Sequence, residues 1–307
     1  MRIAHLSDIH LCATFKKANI GKTKKLIKLA LEKGTDHFVF TGDISDNSDE
    51  KDFLIFRKIL ESFDLLHREK TTLVIGNHDI FGGVQTAQDI LNFPAKCLST
   101  NYDKKVNEFV GYFNELFENC FFPVTNKPFP YAKIIGDVVY IGLNTSDYYS
   151  RIKNSFASNG KVHKEQFEGI KKILEMEKFK SKKKIILSHH HFYKNSEEAT
   201  SSNLMWTKIE SYTLKLRGKK KLLKLFKKNN VELVLHGHSH EMREYERKGI
   251  KFLNAGGSVD NSNSNKSSIV LIDIGEKISP MIYELNTEAS KEKKILSVAE
   301  NPPSVFC

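Results

Sequence analysis

Five short blocks of this sequence combine metal-ligating and proton-carrying side chains: Ser7-Asp8-Ile9-His10, Gly42-Asp43-Ile44-Ser45-Asp46, Gly76-Asn77-His78-Asp79, Ser188-His189-His190-His191 and His236-Gly237-His238-Ser239-His240. Their donors are carboxylate, imidazole and amide oxygen, with no thiolate. That set suits Zn, Mn, Fe, Co or Ni and argues against copper(I) or iron–sulfur chemistry. Asp8 and His10 stand two apart, as do His238 and His240, so in an extended turn each pair can point the same way. Gly42, Gly76 and Gly237 each precede a polar residue, where glycine lets the backbone turn sharply and approach a metal or anion. About seven ligands are available, more than the roughly four to six that one ion needs, which points to two ions. Two ions about 3.5–4 Å apart can clamp both sides of an in-line phosphoryl displacement. They also acidify a bridging water, so that metal-bound hydroxide can attack at neutral pH.

Singly, the blocks say little. An isolated Asp-x-His or Gly-Asp is common, and polar residues after a buried strand are only moderately specific. Their weight comes from position. Arg2–Leu6, Phe38–Thr41, Leu73–Ile75, Ile185–Leu187 and Val231–Leu235 are short, rich in β-branched or aromatic residues, and predict buried strands. One block follows each. In open α/β sheets, ligand sites form at the carboxyl ends of strands, where five loops can converge. Amphipathic helices are expected around Leu26–Leu31 and Phe53–Phe63, giving a βαβαβ rhythm and a largely parallel sheet. Further helices are expected at Lys104–Glu118, His163–Phe179 and Lys219–Lys228. Further strands are expected at Val138–Leu143, Lys251–Asn254, Ser268–Ile274 and Met281–Leu285. Residues 1–286 are expected to form one domain, with an insert at 81–131 and a cleft segment at 193–218. The charged tail, 287–307, is expected to be loose.

The 307 residues are 40% apolar, enough for a sizeable core, with formal net charge +11 and pI about 9.2. A basic balance suits acidic partners, although lysine runs such as Lys219-Lys220-Lys221 are usually solvated helix faces. Cys12, Cys97, Cys120 and Cys307 form no CxxC pair, so reduced thiols in the cytoplasm are the simplest account. No leader is expected, since Ile3 already belongs to a strand, and no apolar run approaches a membrane span.

In order and spacing the blocks resemble the calcineurin-like metallophosphoesterase superfamily, whose signature is DxH, GDxx, GNH[DE], a later His, and GHxH. The resemblance extends over roughly the first 275 residues. It implies a four-layer α-β-β-α fold, two packed mixed sheets flanked by helices, with a dinuclear site at the strand ends. It implies that Asp8, His10 and His240 hold one metal, that Asn77, His189 and His238 hold the other, and that Asp43 bridges them. His78 would contact the phosphate and stabilise or protonate the leaving oxygen, and Asp79 would orient His78. His189 leaves its strand directly, which favours it as the ligand, with His190 lining the pocket or packing. Asp46 is expected to cap the helix near Lys51 or a turn, and His236 to pack or point away. Strand alternation leaves open whether Asn144 faces the pocket. The long insert after Gly-Asn-His-Asp is similar to the cyclic-nucleotide phosphodiesterase branch, so the expected reaction is hydrolysis of a phosphodiester. The expected partner is a small phosphorylated substrate such as a nucleotide. The alternatives are a nuclease acting on nucleic acid, a phosphomonoesterase, and a catalytically silent scaffold of the same fold.

Overall fold

The central strands are buried on both faces, and their period-two alternation, with the period-3.6 burial of the helices, sorts the side chains into two apolar cores. The computed structural model describes residues 1–193, 214–259, 266–285 and 290–293. In chain order its strands are β1 (Arg2–Leu6), β2 (His37–Thr41), β3 (Thr71–Val74), β4 (Tyr131–Ile135), β5 (Val138–Gly142), β6 (Gly160–Lys161), β7 (Lys183–Leu187), β8 (Leu216–Arg217), β9 (Leu233–His236), β10 (Met242–Arg247), β11 (Ile250–Ala255), β12 (Ser267–Ile274), β13 (Ile278–Leu285) and β14 (Ser290–Lys293). The helices are α1 (Lys17–Glu32), α2 (Glu50–Ser62), α3 (His78–Phe81), α4 (Ala87–Ser99), α5 (Tyr102–Tyr112), α6 (Asn114–Phe117), α7 (Lys164–Glu175), α8 (Glu177–Lys180) and α9 (Lys219–Lys228).

The strands build two mixed sheets, ordered β14-β13-β12-β1-β2-β3 and β10-β11-β9-β7-β5-β4. In the first sheet β1, β2 and β3 are parallel; in the second β11, β9, β7 and β5 are parallel. Tyr140, Ile185, Leu187, Leu233 and Leu235 turn inward and join Ile3, Phe38, Phe40 and Leu271 of the first sheet in one core. Their neighbours Val139, Ile141, Ile186 and Val234 turn outward, onto Ile170, Ile173, Leu222 and Phe226 of α7 and α9. Leu26, Ile27, Phe53 and Phe56 bring α1 and α2 into the first core, so helices flank both sheets. Polar bonds tie the sheets as well. Tyr131 Oη donates to Leu73 O at 2.7 Å, and the buried Lys133 ammonium donates to the carbonyls of Arg68, Thr71 and Leu116.

Several edge strands escaped the sequence reading, β4 and β10 among them. Tyr131–Ile135 carries a lysine where an apolar residue was expected, and Met242–Arg247 is a charged strand only half buried along most of its length. The insert is more helical than expected, because α4 precedes the helix at Tyr102–Tyr112. The helix expected over His163–Phe179 breaks at Met176, whose backbone is extended. The lysines of α9 point outward while Leu222, Leu223, Leu225 and Phe226 are buried, so this run is a solvated face. Most of the expected cleft segment, and all of the expected tail except Ser290–Lys293, which pairs with β13 as β14, lie outside the described residues. Among the described residues no helix is long and apolar enough to cross a membrane.

Candidate active site

The five blocks leave β1, β2, β3, β7 and β9, and each of these strands runs in a parallel stretch of its sheet, so their carboxyl ends gather on one side. Pairing continues past the strands into the loops. Asp8 N donates to Gly42 O at 3.1 Å, His10 N to Asp43 O at 3.0 Å and Leu11 N to Ile44 O at 2.8 Å. Asn19 on the buried face of α1 donates to the carbonyls of Ile9 and His10, both at 3.1 Å, and fixes the first loop from behind. Within the second sheet Gly237 N donates to His189 O, and across the sheets His238 N donates to the Asp8 carboxylate.

Local backbone strain concentrates here. Asp8, His10, Asp43, His238 and His240 all have positive φ, between 40° and 77°. Non-glycine residues rarely hold that conformation unless their surroundings enforce it, and such residues cluster at functional sites. Close approach also demands two of the glycines. A Cβ on Gly76 would land on Asp43 Oδ1, and one on Gly237 would land on Asp8 Oδ2 and Ser7 Oγ.

The donor atoms fall into adjoining groups. Asp8, His10 and His240 offer one set within 4.8 Å of one another, and Asp43, His189 and His238 offer a second. In the first, the Nε2 atoms of His10 and His240 are 3.2 Å apart, and Asp8 Oδ1 lies 3.5 Å from His240 Nε2. In the second, His189 Nε2 is 3.0 Å from His238 Nδ1, 3.1 Å from Asn77 Oδ1 and 3.2 Å from Asp43 Oδ2. Asp43 Oδ2 reaches both sets, lying 3.8 Å from His10 Nε2. The tautomers follow from outward bonds. His189 Nδ1 donates to Thr41 O at 2.8 Å, and His238 Nε2 donates to Ser158 O at 2.9 Å. The lone pairs of His189 Nε2 and His238 Nδ1 therefore face each other, with the Asp43 and Asn77 oxygens beside them. Four lone-pair atoms cannot satisfy one another without a proton or a cation among them. Burial disfavours charge on His189, yet the Asp43 and Asp8 carboxylates raise it to about 9. Burial likewise opposes ionisation of Asp8 and Asp43, but the surrounding imidazoles hold both carboxyls below the usual range. The centre thus attracts positive charge, and a mixed N/O donor set of this kind fits transition-metal cations.

His78 opens α3 beside these groups. Its backbone N–H donates to Asp43 Oδ1 at 2.8 Å, and its Nδ1 donates to Asp46 O at 3.0 Å, leaving Nε2 on the cavity side. Burial pulls this ring down, with Asp43 opposing. The expected orienting contact from Asp79 is absent. Asp79 instead accepts from Ser45 N at 2.9 Å and Gly76 N at 2.8 Å, and so binds the second loop to the third. Adjacent residues on a helical turn point about 100° apart, so Asp79 faces inward when His78 faces the cavity. Burial, reinforced by the Asp43 charge, raises the Asp79 carboxyl to about 7.

Asp46, expected as a cap, sits inside the site. Its Oδ1 lies 3.1 Å from His10 Nδ1 and 3.0 Å from Lys16 Nζ, and Gln85 donates to its Oδ2. Asp49 caps α2 instead. His190 is fully buried, accepting from Thr145 Oγ1 and donating to Ser158 O, with its ring 4.2 Å from that of His238. His236 is buried against Tyr245, and Asn144 bonds Tyr102 Oη at another cavity. Asp46 closes an unbroken buried run from His37, which only the folded loop reveals, since its local sequence reads as a cap or turn. For Asn19 the signal was a polar residue on the apolar face of α1.

These features define a metal-dependent hydrolytic centre at the strand ends of a two-sheet α/β fold. The chain belongs to the calcineurin-like phosphoesterase family, whose profile matches residues 1–242, and it is a metal-dependent phosphoesterase. No curated protein matches it in sequence. Among solved structures it is similar to a dimetal phosphatase from Danio rerio, with TM-score 0.58, 11% identity, and coverage of 92% of this chain and 95% of that one. It is also similar to a purple acid phosphatase from yellow lupin, with TM-score 0.58 and 16% identity over its full length, spanning 57% of that chain. A third neighbour is GAP50, the anchor in the inner membrane complex of Plasmodium, with TM-score 0.51, 16% identity, and coverage of 96% and 89%.

Proposed function

We propose that this chain hydrolyses phosphodiesters using two metal ions, one held by Asp8, His10 and His240, the other by Asn77, His189 and His238, with Asp43 shared. When bound, the ions supply positive charge to the phosphoryl oxygens and acidify water for attack. The chain's own groups do the rest. Thr41 O and Ser158 O fix the tautomers of His189 and His238. Asp46 holds the His10 ring at its Nδ1. His78, kept mainly neutral by burial, stands with Nε2 toward the substrate, where it stabilises charge on the leaving oxygen. Asp79 holds the backbone of Ser45 and Gly76, and so the loops that carry Asp43 and Asn77.

The observation that carries the diester reading is the charge of the cavity. A space of about 530 Å³ opens beside His10, Asn77, His78 and His240. Apart from histidines, Lys16 is the only basic residue among its described lining residues, and its ammonium is already engaged by Asp46. A diester brings one negative charge and a monoester close to two, so this lining suits the diester. The substrate is then a small phosphorylated molecule. The free thiols of Cys12, Cys97 and Cys120 support a reducing compartment such as the cytoplasm. The test is turnover by the manganese-loaded protein. Bis(p-nitrophenyl) phosphate is expected to exceed p-nitrophenyl phosphate at least tenfold in kcat/KM, and a monoester preference would overturn the reading. Asp43→Ala or Asn77→Ala should abolish turnover while leaving the chain folded. His78→Ala should retain metal and lower kcat least for esters with good leaving groups; equal loss for all would remove its role at the leaving oxygen.

A further inference from the structure

The cavity beside the catalytic centre has two unlike walls. One carries the site residues. The other is apolar and comes from Val84, Ile90, Phe93 and Pro94 at the start of the insert, faced by Phe156. Ile90 is 62% exposed and Phe156 61%, so large apolar side chains face water on both sides of the opening. Scattered single apolar residues on a surface need no explanation, but a contiguous set lining a functional cavity does.

This wall is built rather than incidental. A capping box fixes the start of α4: Thr86 Oγ1 accepts from Asp89 N at 3.1 Å, and Asp89 Oδ2 accepts from Thr86 N at 2.9 Å and Gln85 N at 3.0 Å. Gln85 in turn donates to Asp46, the carboxylate that also meets His10. Gly83 packs so near His78 that a Cβ there would lie 2.7 Å from His78 Cε1. The helix bearing Ile90 and Phe93 is therefore held at a set distance from the reacting groups. Ile90, Phe93 and Pro94 nonetheless line the cavity, Phe93 resting on the core behind it, and Cys97 is the only buried residue of α4.

From this continuity we infer that the substrate is a diester with at least one apolar ester arm, aliphatic or aromatic, which lies across Val84, Ile90, Phe93, Pro94 and Phe156. The inference rests on the phosphodiesterase reading and adds the class of substituent. A polar sugar arm would leave this wall wet and unused, whereas an apolar arm removes it from water. Burying one methylene is worth about a fourfold gain in affinity, so an arm three carbons longer gains up to about 60-fold if fully covered.

Dialkyl phosphates test the inference without depending on which arm leaves. Dimethyl, diethyl and dibutyl phosphate are measured as competitive inhibitors of bis(p-nitrophenyl) phosphate turnover by the manganese-loaded protein. Binding of dibutyl phosphate is also followed by calorimetry, where apolar burial shows as a negative heat-capacity change. We expect the inhibition constant to fall at least tenfold from dimethyl to dibutyl phosphate. Ile90→Ser and Phe156→Ser, both at exposed positions and so tolerated by the fold, should weaken dibutyl phosphate at least fivefold more than dimethyl phosphate. A flat series with diester turnover intact overturns the apolar arm and leaves the phosphodiesterase reading standing. So does a steep series unchanged in both variants, because the arm then binds elsewhere. Turnover of monoesters with none of diesters defeats the reading beneath it.

Discussion

Gly76→Ala is the sharpest single perturbation of this centre, because one methyl group decides it. Gly76 follows β3, and an added Cβ would overlap Asp43 Oδ1 and Asp43 N and lie 2.8 Å from Asp43 Cγ. Ordinary contact between carbons is about 3.5–4.0 Å, so the carboxylate must retreat by about 0.7–1.2 Å. A displacement near 1 Å at a reacting centre costs roughly 10²-fold in rate. Overpacking of this kind also costs about 1–3 kcal/mol of stability, which for a chain of this length lowers Tm by about 2–5 °C. The control is Gly21→Ala in α1, where the site is exposed and nothing lies within 4 Å of the added Cβ. There the gain in helix propensity should add about 0.5–1 kcal/mol and raise Tm by about 1 °C. The assay pairs kcat/KM on bis(p-nitrophenyl) phosphate with metal content and a melting curve. Gly76→Ala with wild-type turnover and full metal content would show that Asp43 does not depend on this close approach, and the shared-carboxylate assignment would fall.

Asp46→Ala should weaken metal affinity by about 10- to 100-fold, because a carboxylate that orients a ligating imidazole also raises its basicity. Manganese titration into chelator-stripped protein reads this directly, and an unchanged affinity would return Asp46 to a purely local role. His37 concerns acid stability instead. Burial, with the Lys133 charge adding to it, pulls its ring down to about 3, while Nδ1 donates to Glu69 O and Nε2 accepts from Thr72 Oγ1. The unfolded ring titrates near 6.5. Below that pH the unfolded chain gains a proton that the folded chain refuses. Stability is full above pH 6.5 and falls toward pH 3 by up to about 1.4 kcal/mol per pH unit for this one ring. His37→Gln should flatten that slope by about one proton between pH 6 and 4 in urea unfolding; an unaltered slope would mean that His37 charges without unfolding the chain.

Much of this centre was legible in the sequence because the same few residues answer two demands at once. A strand that ends in Gly-Asp or Gly-Asn-His both satisfies sheet periodicity and places donors at a sheet end, so Asp8, Asp43, Asn77, His189 and His238 could be located before their contacts were known. What escaped lies where local pattern and tertiary packing disagree. Asp79 adjoins His78 in sequence, but the turn of α3 sends the two side chains to different partners. Asp46 has the composition of a cap, yet it lies in a buried loop where only a charged neighbour such as Lys16 makes a carboxylate tolerable. Met242–Arg247 has too few apolar side chains to announce a strand; it exists because β11 offers a free ladder beside it. Lys133 defies the strand pattern outright, since its ammonium finds three carbonyl acceptors that no sequence window contains.

The donors of each proposed ion come from both sheets: Asp8, His10, Asp43 and Asn77 follow strands of the first, and His189, His238 and His240 follow strands of the second. The cations would then act as rivets through a laminate, clamping two plates that otherwise adhere through Tyr140, Leu187, Leu235 and their neighbours. Slippage of one plate against the other would pull imidazoles from carboxylates. A conservative change deep in that seam should therefore announce itself first as leaky metal retention, before any loss of secondary structure.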